Sequence, residues 1–305
     1  MAVPTIAAVE PLSAASLLTR WSFDPVALLL CAVAIAGYAG GVRRLARRGR
    51  RWSRARSLSF GLGVLVLLIA TQTAIAVYDT ELFSLHVVQH VLIGIVAPLL
   101  LALSAPVTLA LQASHRPTQV NLLRVLHARP AKVIGHPVVA WVLFGTTLFV
   151  LYFSPVYELS LRNGVVHAWV HIHFLVVGCL FCWATVGLDP VPHRVPYGAR
   201  LMLVLFMVPF HAFLGLALMS TTAPLAADWY ASLAGPWHPD ALDDQRVGAG
   251  VMWLVGDATG LILGAIVATQ WLRAEARRSR HLDRALDAAE ARAQARARTS
   301  DEVPV

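Results

Sequence analysis

Charged residues are scarce in this 305-residue chain, at 14% of the total, whereas 57% of the residues are hydrophobic. The mean hydropathy is +0.64. A soluble core of this size cannot enclose so many apolar side chains, so the composition excludes a soluble globular protein and predicts one dissolved in lipid. The arginines lie in short blocks between long apolar runs, without a basic face interleaved with aromatics, which argues against nucleic acid as a partner.

Cysteine is also rare, and Cys31, Cys179 and Cys182 all lie inside apolar runs. Their positions exclude a disulfide framework and a thiolate zinc site. Cys179 and Cys182 have CxxC spacing, but on a continuous helix this spacing makes one apolar face, which disfavours a redox role. The first 24 residues lack a basic n-region and a small-residue cleavage site, so no cleaved signal peptide is expected.

Long apolar runs dominate the chain, and each transmembrane helix needs about 20 such residues. We therefore predict an all-α, polytopic membrane bundle of about seven transmembrane helices. The predicted spans are 24–42, 58–77, 85–110, 136–153, 165–188, 200–220 and 248–271. The third run is over-long and contains Pro98 and Pro106, so its inner part is expected to kink or to bend along the interface.

The distribution of Lys and Arg predicts the orientation, because positively charged loops stay in the cytoplasm. Alternate segments hold 22 of the 25 basic residues: 43–57, 111–135, 189–200 and 272–305. The other side holds Arg20, Arg162 and Arg246. We expect an extracytoplasmic segment 1–23, one transmembrane domain 24–272 and a cytoplasmic basic helical tail 273–305.

Two histidine pairs stand inside the apolar runs, where ionisable groups are costly and usually functional. His86 and His90 are four residues apart in the third helix, as are His167 and His171 in the fifth. Residues four apart share a helix face. Both helices run inward from the outer surface in the predicted topology, so all four imidazoles converge in the outer leaflet. Neutral imidazole is a good ligand for copper or zinc, so this arrangement predicts a metal site.

Five further residues are candidate accessories of this site. His173 follows His171 by two residues and points away from the pair. His211 lies near the middle of the sixth span and faces either the same cavity or another helix. Met219 and Met252 offer thioether sulfur, which suits cuprous ion but is also common core filler. Asp244 either caps the seventh helix or orients a histidine.

Four stretches together resemble the CtaG family of cytochrome c oxidase assembly factors, of the caa-type oxidase branch. They are HVVQHVLIGIVAPLLLALSAP from His86, PVYELSLRNGVVHAWVHIHFLVVGCLFCW from Pro155, GLDPVP from Gly187 and DDQRVGAGVMWLVGD from Asp243. No single stretch is specific to the family on its own. The order, spacing and membrane side of the four stretches taken together are specific to it. The resemblance runs from about residue 60 to residue 272.

The resemblance implies a protein of the bacterial plasma membrane that matures the oxidase. It implies delivery of copper to the oxidase catalytic subunit, and our hypothesis is that the ion is Cu(I), received from an extracytoplasmic copper chaperone. The histidines of the third and fifth helices would be the ligands, and the protein would be a metallochaperone rather than an enzyme. Two alternatives remain open: a haem b redox protein with bis-histidine ligation, and a zinc metalloenzyme with Asp244 as a base.

Overall fold

The computed structural model of the chain describes residues 10–193, 195–233 and 235–301, with side chains to residue 292. Within these ranges the regular secondary structure is helical, apart from an isolated bridge between Trp21 and Thr73. This confirms the predicted all-α fold class. The bridge pairs the chain just before one long helix with the chain just after the next, so these two helices are antiparallel neighbours.

Six helices in the described part of the chain are long and apolar enough to cross a membrane. They are Pro25–Arg47, Arg54–Gln72, Phe83–Leu103, Gly164–Val186, Tyr197–Met219 and Ala241–Asp301. A seventh span is complete when Pro137–Tyr152 and Val156–Arg162 are taken together, with a bend of 68° between them. We number these seven spans in chain order. The predicted number of about seven agrees with the structure, and the predicted cores of all seven runs fall within these helices.

Short helices connect or precede the spans. They are Ala14–Thr19, Ala74–Tyr78, Pro106–Ala113, Arg116–Leu126, Arg129–Ile134 and Ala227–Leu233. The seventh span continues without a break into the basic tail, as far as Asp301. The first span is the least enclosed, with Val26, Leu29 and Val33 more than half exposed. These apolar side chains are not packed against the rest of the described structure, as expected for a surface that faces lipid.

The third span ends earlier than the predicted run 85–110. It stops at Leu103, and Ala105 then takes a left-handed conformation (φ 51°) before the separate helix Pro106–Ala113 begins. Asp189 holds this helix start: its carboxylate accepts from the amides of Val107 and Thr108, at 3.1 and 2.7 Å, and from the Thr108 hydroxyl. The GLDPVP motif therefore supplies a remote helix cap.

The third span is also irregular in its middle, where Leu92–Val96 forms a π-helix between two α-helical segments. Gly94 in this segment faces Gly178 of the fifth span. A Cβ built on Gly178 would lie 2.0 Å from the Gly94 carbonyl oxygen. Small residues of this kind let two helix backbones approach closely. The close approach lies about one turn beyond His90 in the third span and about two turns beyond His171 in the fifth, and it sets the separation of the two histidine-bearing helices.

We call the end of the bundle at which the third and fifth spans begin the histidine end. Asp244, at the start of the seventh span, accepts from the amide of Ser84 at the start of the third span, at 3.1 Å. The third, fifth and seventh spans therefore begin at the same end. The arginine-rich connection 48–56 lies at the opposite end, between the first and second spans.

Candidate metal centre

The first residues of the third and fifth spans determine the level at which the histidines lie in the bundle. The fifth span begins at Gly164, where the side chain of Asn163 accepts from the amides of Val165 and Val166. The third span begins at Phe83. Each histidine pair therefore falls within the first two to three turns of its helix, and the four rings reach the same level of the bundle.

The four imidazoles form one packed cluster. Ring centroids are 4.1 Å apart for His86 and His90, and 4.4 Å apart for His167 and His171. Across the two helices the distances are 5.3 Å for His86 to His167 and 5.4 Å for His90 to His171. His86 and His90 are at most 2% exposed, His167 is 9% exposed, and His171 is partly buried.

The ligand atoms of this cluster lie close enough for one ion to contact several of them. His86, His90 and His167 each offer a nitrogen, and these atoms lie within 4.8 Å of one another. A second group, Asp79 with His167 and His171, meets the same criterion. His167 belongs to both groups, so the structure places two overlapping three-ligand sets side by side.

Several of these nitrogens are buried without a hydrogen-bond partner: Nε2 of His86, both ring nitrogens of His90 and Nε2 of His167. A buried polar atom that lacks a partner costs about 1–3 kcal/mol, and such atoms are few in native proteins. A bound metal ion would satisfy one nitrogen of each of these three rings. The residues present therefore fit a metal with a preference for imidazole nitrogen.

Hydrogen bonds from neighbouring groups determine which ring nitrogen is available. The Nδ1 of His86 lies 3.2 Å from the carbonyl oxygen of Asp79, so it donates and leaves Nε2 as the lone-pair nitrogen. The Nε2 of His171 lies 2.9 Å from Oε1 of Gln89. Gln89 is itself fixed, since its amide nitrogen donates to the carbonyl oxygen of Ala70 at 2.9 Å. His171 therefore donates through Nε2 and offers Nδ1.

Asp79 is a functional candidate that the sequence reasoning missed. Its Oδ2 lies 3.7 Å from Nε2 of His167, and the residue is 5% exposed. Burial of the carboxyl raises the pKa of Asp79 to about 7. The signal was the acid pair Asp79 and Glu81, which directly precedes the histidine-bearing third span.

A loop between the sixth and seventh spans covers this acidic turn. Oε2 of Glu81 lies 3.0 Å from Nε2 of His238, and the indole of Trp229 donates to the carbonyl oxygen of Thr80 at 2.8 Å. Trp237 stacks on His238 and meets Tyr78 edge to face. Sequence reasoning also missed His238, because its partner is 157 positions away along the chain.

The predicted accessory residues are placed differently from one another. His173 is exposed and pairs with the Thr147 hydroxyl at 2.9 Å, on the side toward the fourth span. Met219 is 37% exposed at the end of the sixth span, outside both three-ligand groups. Asp244 ties the start of the seventh span to that of the third. His211 and Met252 are buried, and they line a small cavity together with His90.

Fold and site together define a polytopic helical membrane protein with a buried histidine and carboxylate pocket at one end of its bundle. The model of the cytochrome c oxidase caa3 assembly factor family, Caa3_CtaG, matches residues 36–274. The chain belongs to this family. The family predicted from the sequence is thereby confirmed, and so is a multi-pass location in the bacterial plasma membrane.

Three mycobacterial proteins, each described as uncharacterized, are similar to the chain over 285 residues. Those of Mycobacterium bovis and Mycobacterium tuberculosis are 34% identical, and that of Mycobacterium leprae is 32% identical. The alignments cover 90–91% of this chain but 43% of each relative, so the chain spans less than half of their length. No solved structure matches the chain.

Proposed function

We propose that this assembly factor binds a cuprous ion among His86, His90, His167 and His171 and delivers it to the catalytic subunit of the oxidase. The observation that carries the proposal is the group of three buried histidines whose ligand nitrogens lie within 4.8 Å of one another and lack other partners. Membership of the oxidase assembly family gives this metal site its context.

Cuprous ion fits the ligands better than zinc. Imidazole binds both metals, but the buried set contains a single carboxylate, Asp79, near the histidines. One carboxylate balances one positive charge, so Cu(I) leaves the pocket neutral when Asp79 is ionised, whereas Zn²⁺ leaves an excess charge in a medium of low dielectric constant. A zinc hydrolase would also need a free base, and the Asp244 carboxylate already accepts the Ser84 amide.

The packing of the rings favours copper over haem. Neighbouring rings of the cluster pack against one another at 4.1 to 5.4 Å between centroids. A porphyrin would have to lie between two of the rings. The haem alternative therefore requires the third and fifth spans to separate, against the close approach of Gly94 and Gly178.

The two overlapping ligand sets support transfer rather than storage. Because His167 belongs to both sets, an ion can exchange Asp79 and His171 for His86 and His90 without ever losing all its ligands. We place the entry at the Asp79 side, under the loop that carries Trp229 and His238, where an extracytoplasmic copper chaperone would dock. The protein then acts as a metallochaperone, without covalent chemistry.

A side chamber supports release toward a partner in the bilayer. It has a volume of about 120 Å³ and lies between the first, second and fifth spans, with Cys31, Leu67 and Ala168 in its walls. His171 also lines it. The oxidase catalytic subunit is a membrane protein in the proposal, so an ion that exchanges back onto His171 would have a lateral route that spares it a passage through water.

The test is the copper content of anaerobically purified protein equilibrated with buffered Cu(I). The double variant His86→Ala, His167→Ala should contain about one copper ion fewer per chain than the wild type, because it removes two of three mutually close ligands. His173→Ala is the matched control, since His173 pairs with Thr147 outside the cluster, and it should keep the full content. Equal copper in the wild type and the double variant would refute the site.

A further inference from the structure

A small cavity lies directly beyond the histidine cluster, deeper in the bundle. Its volume is about 20 Å³, and His90, His211 and Met252 line it together with aromatic and aliphatic side chains. A space of this size holds one water molecule or one ion. Its three potential ligands come from the third, sixth and seventh spans, and His90 belongs to the cluster above.

His90 and His211 share an unusual feature, since each is buried with at least one ring nitrogen that lacks a hydrogen-bond partner. Both nitrogens of His90 lack one, whereas the Met207 backbone is within hydrogen-bond reach of the His211 ring. His90 is 2% and His211 is 3% exposed. Unpartnered imidazole nitrogens from two rings that line one cavity, inside a membrane span, are expensive unless a ligand occupies that cavity, and an ion there would take one nitrogen of each ring.

The position of His211 is fixed by close packing. A Cβ built on Gly256 of the seventh span would lie 2.5 Å from Cγ of the His211 ring. Gly256 therefore makes room for this ring against the helix backbone, and a larger residue there would displace it. The tight packing holds the imidazole in one position, as a preorganised metal ligand requires.

Met252 adds a soft ligand. It is 1% exposed and lies one turn before Gly256 on the seventh span. Thioether sulfur with neutral imidazole is a ligand set that selects Cu(I) over harder cations, and it brings no charge into the bilayer. Methionine is also common core filler, but here it lines the same cavity as His90 and His211.

We propose that His90, His211 and Met252 form a second cuprous site below the four-histidine cluster, with His90 shared between the two. This inference rests on the proposed copper function and extends it by one step. The ion passes from the cluster to the deeper site by exchanging His86 and His167 for His211 and Met252, while His90 stays bound. The deeper site thus brings copper from the end of the bundle toward the middle of the membrane.

The experiment combines copper stoichiometry with X-ray absorption of the Cu(I)-loaded full chain in detergent. The wild type should bind two ions, one held by His86 with His167 and one by His90 with His211 and Met252, because the single lone pair of His90 serves one ion at a time. Sulfur should be among the scatterers. Met252→Leu should lose the sulfur signal and weaken the second ion by at least about tenfold. His211→Leu should also lose the second ion. The double variant His86→Ala, His167→Ala should keep the sulfur-ligated copper.

Met207→Leu is the matched control. Met207 is 3% exposed and lies one turn before His211, but it lines the neighbouring cavity instead of the one that holds His90. This variant should bind as the wild type does. Gel filtration of every variant separates a lost ligand from a lost fold.

The outcomes distinguish the two proposals. One nitrogen-ligated copper that is unchanged in Met252→Leu but lost in the double variant would overturn the deeper site and leave the cluster standing. Absence of copper from the wild type would overturn both.

Discussion

At the scale of single residues, the cluster depends on groups that do not bind metal. His86 and His171 each give one ring proton to an oxygen, of the Asp79 backbone and the Gln89 side chain respectively. A histidine whose proton is placed in this way presents the other nitrogen to the metal without reorientation. Gln89 is fully buried, and its amide also donates to the carbonyl oxygen of Ala70, so this one side chain connects the second, third and fifth spans.

Replacing this glutamine should weaken copper binding. In Gln89→Leu the side chain keeps its volume but loses both hydrogen bonds, so the His171 ring is no longer held in one tautomer and orientation. We expect the Cu(I) affinity to fall by roughly 10- to 100-fold. Competition with a Cu(I) chelator of known affinity measures the change.

The same substitution elsewhere provides the control. Gln245 is also buried, but it bonds Leu218 in the last turn of the sixth span, and Thr221 and Leu225 in the loop that follows. Gln245→Leu should lower the thermal stability and leave the Cu(I) affinity unchanged. If the two variants lose copper affinity equally, Gln89 has no special role.

Residue spacing was enough to predict which histidines meet, but not what surrounds them. His86 with His90, and His167 with His171, follow from the helical period alone. Asp79 meets His167 of a different span, and His238 meets Glu81 from a loop 157 positions away along the chain. No local pattern encodes such a contact, and its only trace in the sequence was the acid pair beside the third span.

At the scale of elements, the positions of the spans were largely predictable. In lipid every backbone polar group must be hydrogen-bonded within the protein, and a long apolar run achieves this as a helix. The ends of the spans were less predictable. The third span stops at Leu103 because Asp189 caps a new helix from 81 positions away. The fourth continues past its predicted end at residue 153 into Val156–Arg162 after a sharp bend. Both features depend on tertiary contacts or on local turns that hydropathy does not register.

The contact between the third and fifth spans gives a prediction at this scale. In Gly178→Ala the new Cβ would lie 2.0 Å from the carbonyl oxygen of Gly94, so the two helices must separate. Overpacking of this kind costs about 1–3 kcal/mol. We expect a lower melting temperature in detergent together with weaker Cu(I) binding, because the histidine pairs sit on the two separated helices.

Gly61→Ala is the control for this change. Gly61 lies in the second span with open space around its Cα, so the same methyl group should have no steric cost there. Thermal unfolding and chelator competition measure both variants. Unchanged copper binding in Gly178→Ala would mean that the separation of the two spans does not control the site.

At the scale of the whole molecule, the structure fixes which helix ends lie together, and the charge distribution predicts which side of the membrane they face. The histidine end shares its side with the segment 221–233, and the arginine-rich connection 48–56 lies at the opposite end. The distribution of 22 of 25 basic residues predicts that the histidine end faces away from the cytoplasm. This orientation matters for function, because it decides from which compartment the copper is received.

Two single-cysteine variants test the orientation. Ser232 lies exposed in the loop after the sixth span, and Ser279 lies exposed in the basic tail. In intact spheroplasts a membrane-impermeant maleimide should label Ser232→Cys, whereas Ser279→Cys should react only after permeabilisation. The parent chain is a suitable background, because Cys31, Cys179 and Cys182 are all buried.

The opposite labelling pattern would have a specific consequence. It would place Asp79 and the four histidines at the cytoplasmic surface, and an extracytoplasmic chaperone could not then reach them. The ion would have to come from the cytoplasm, while the ligand geometry would be unchanged. The labelling experiment therefore tests the source of the copper separately from its binding site, and the copper measurements on His86→Ala, His167→Ala test the site separately from the source.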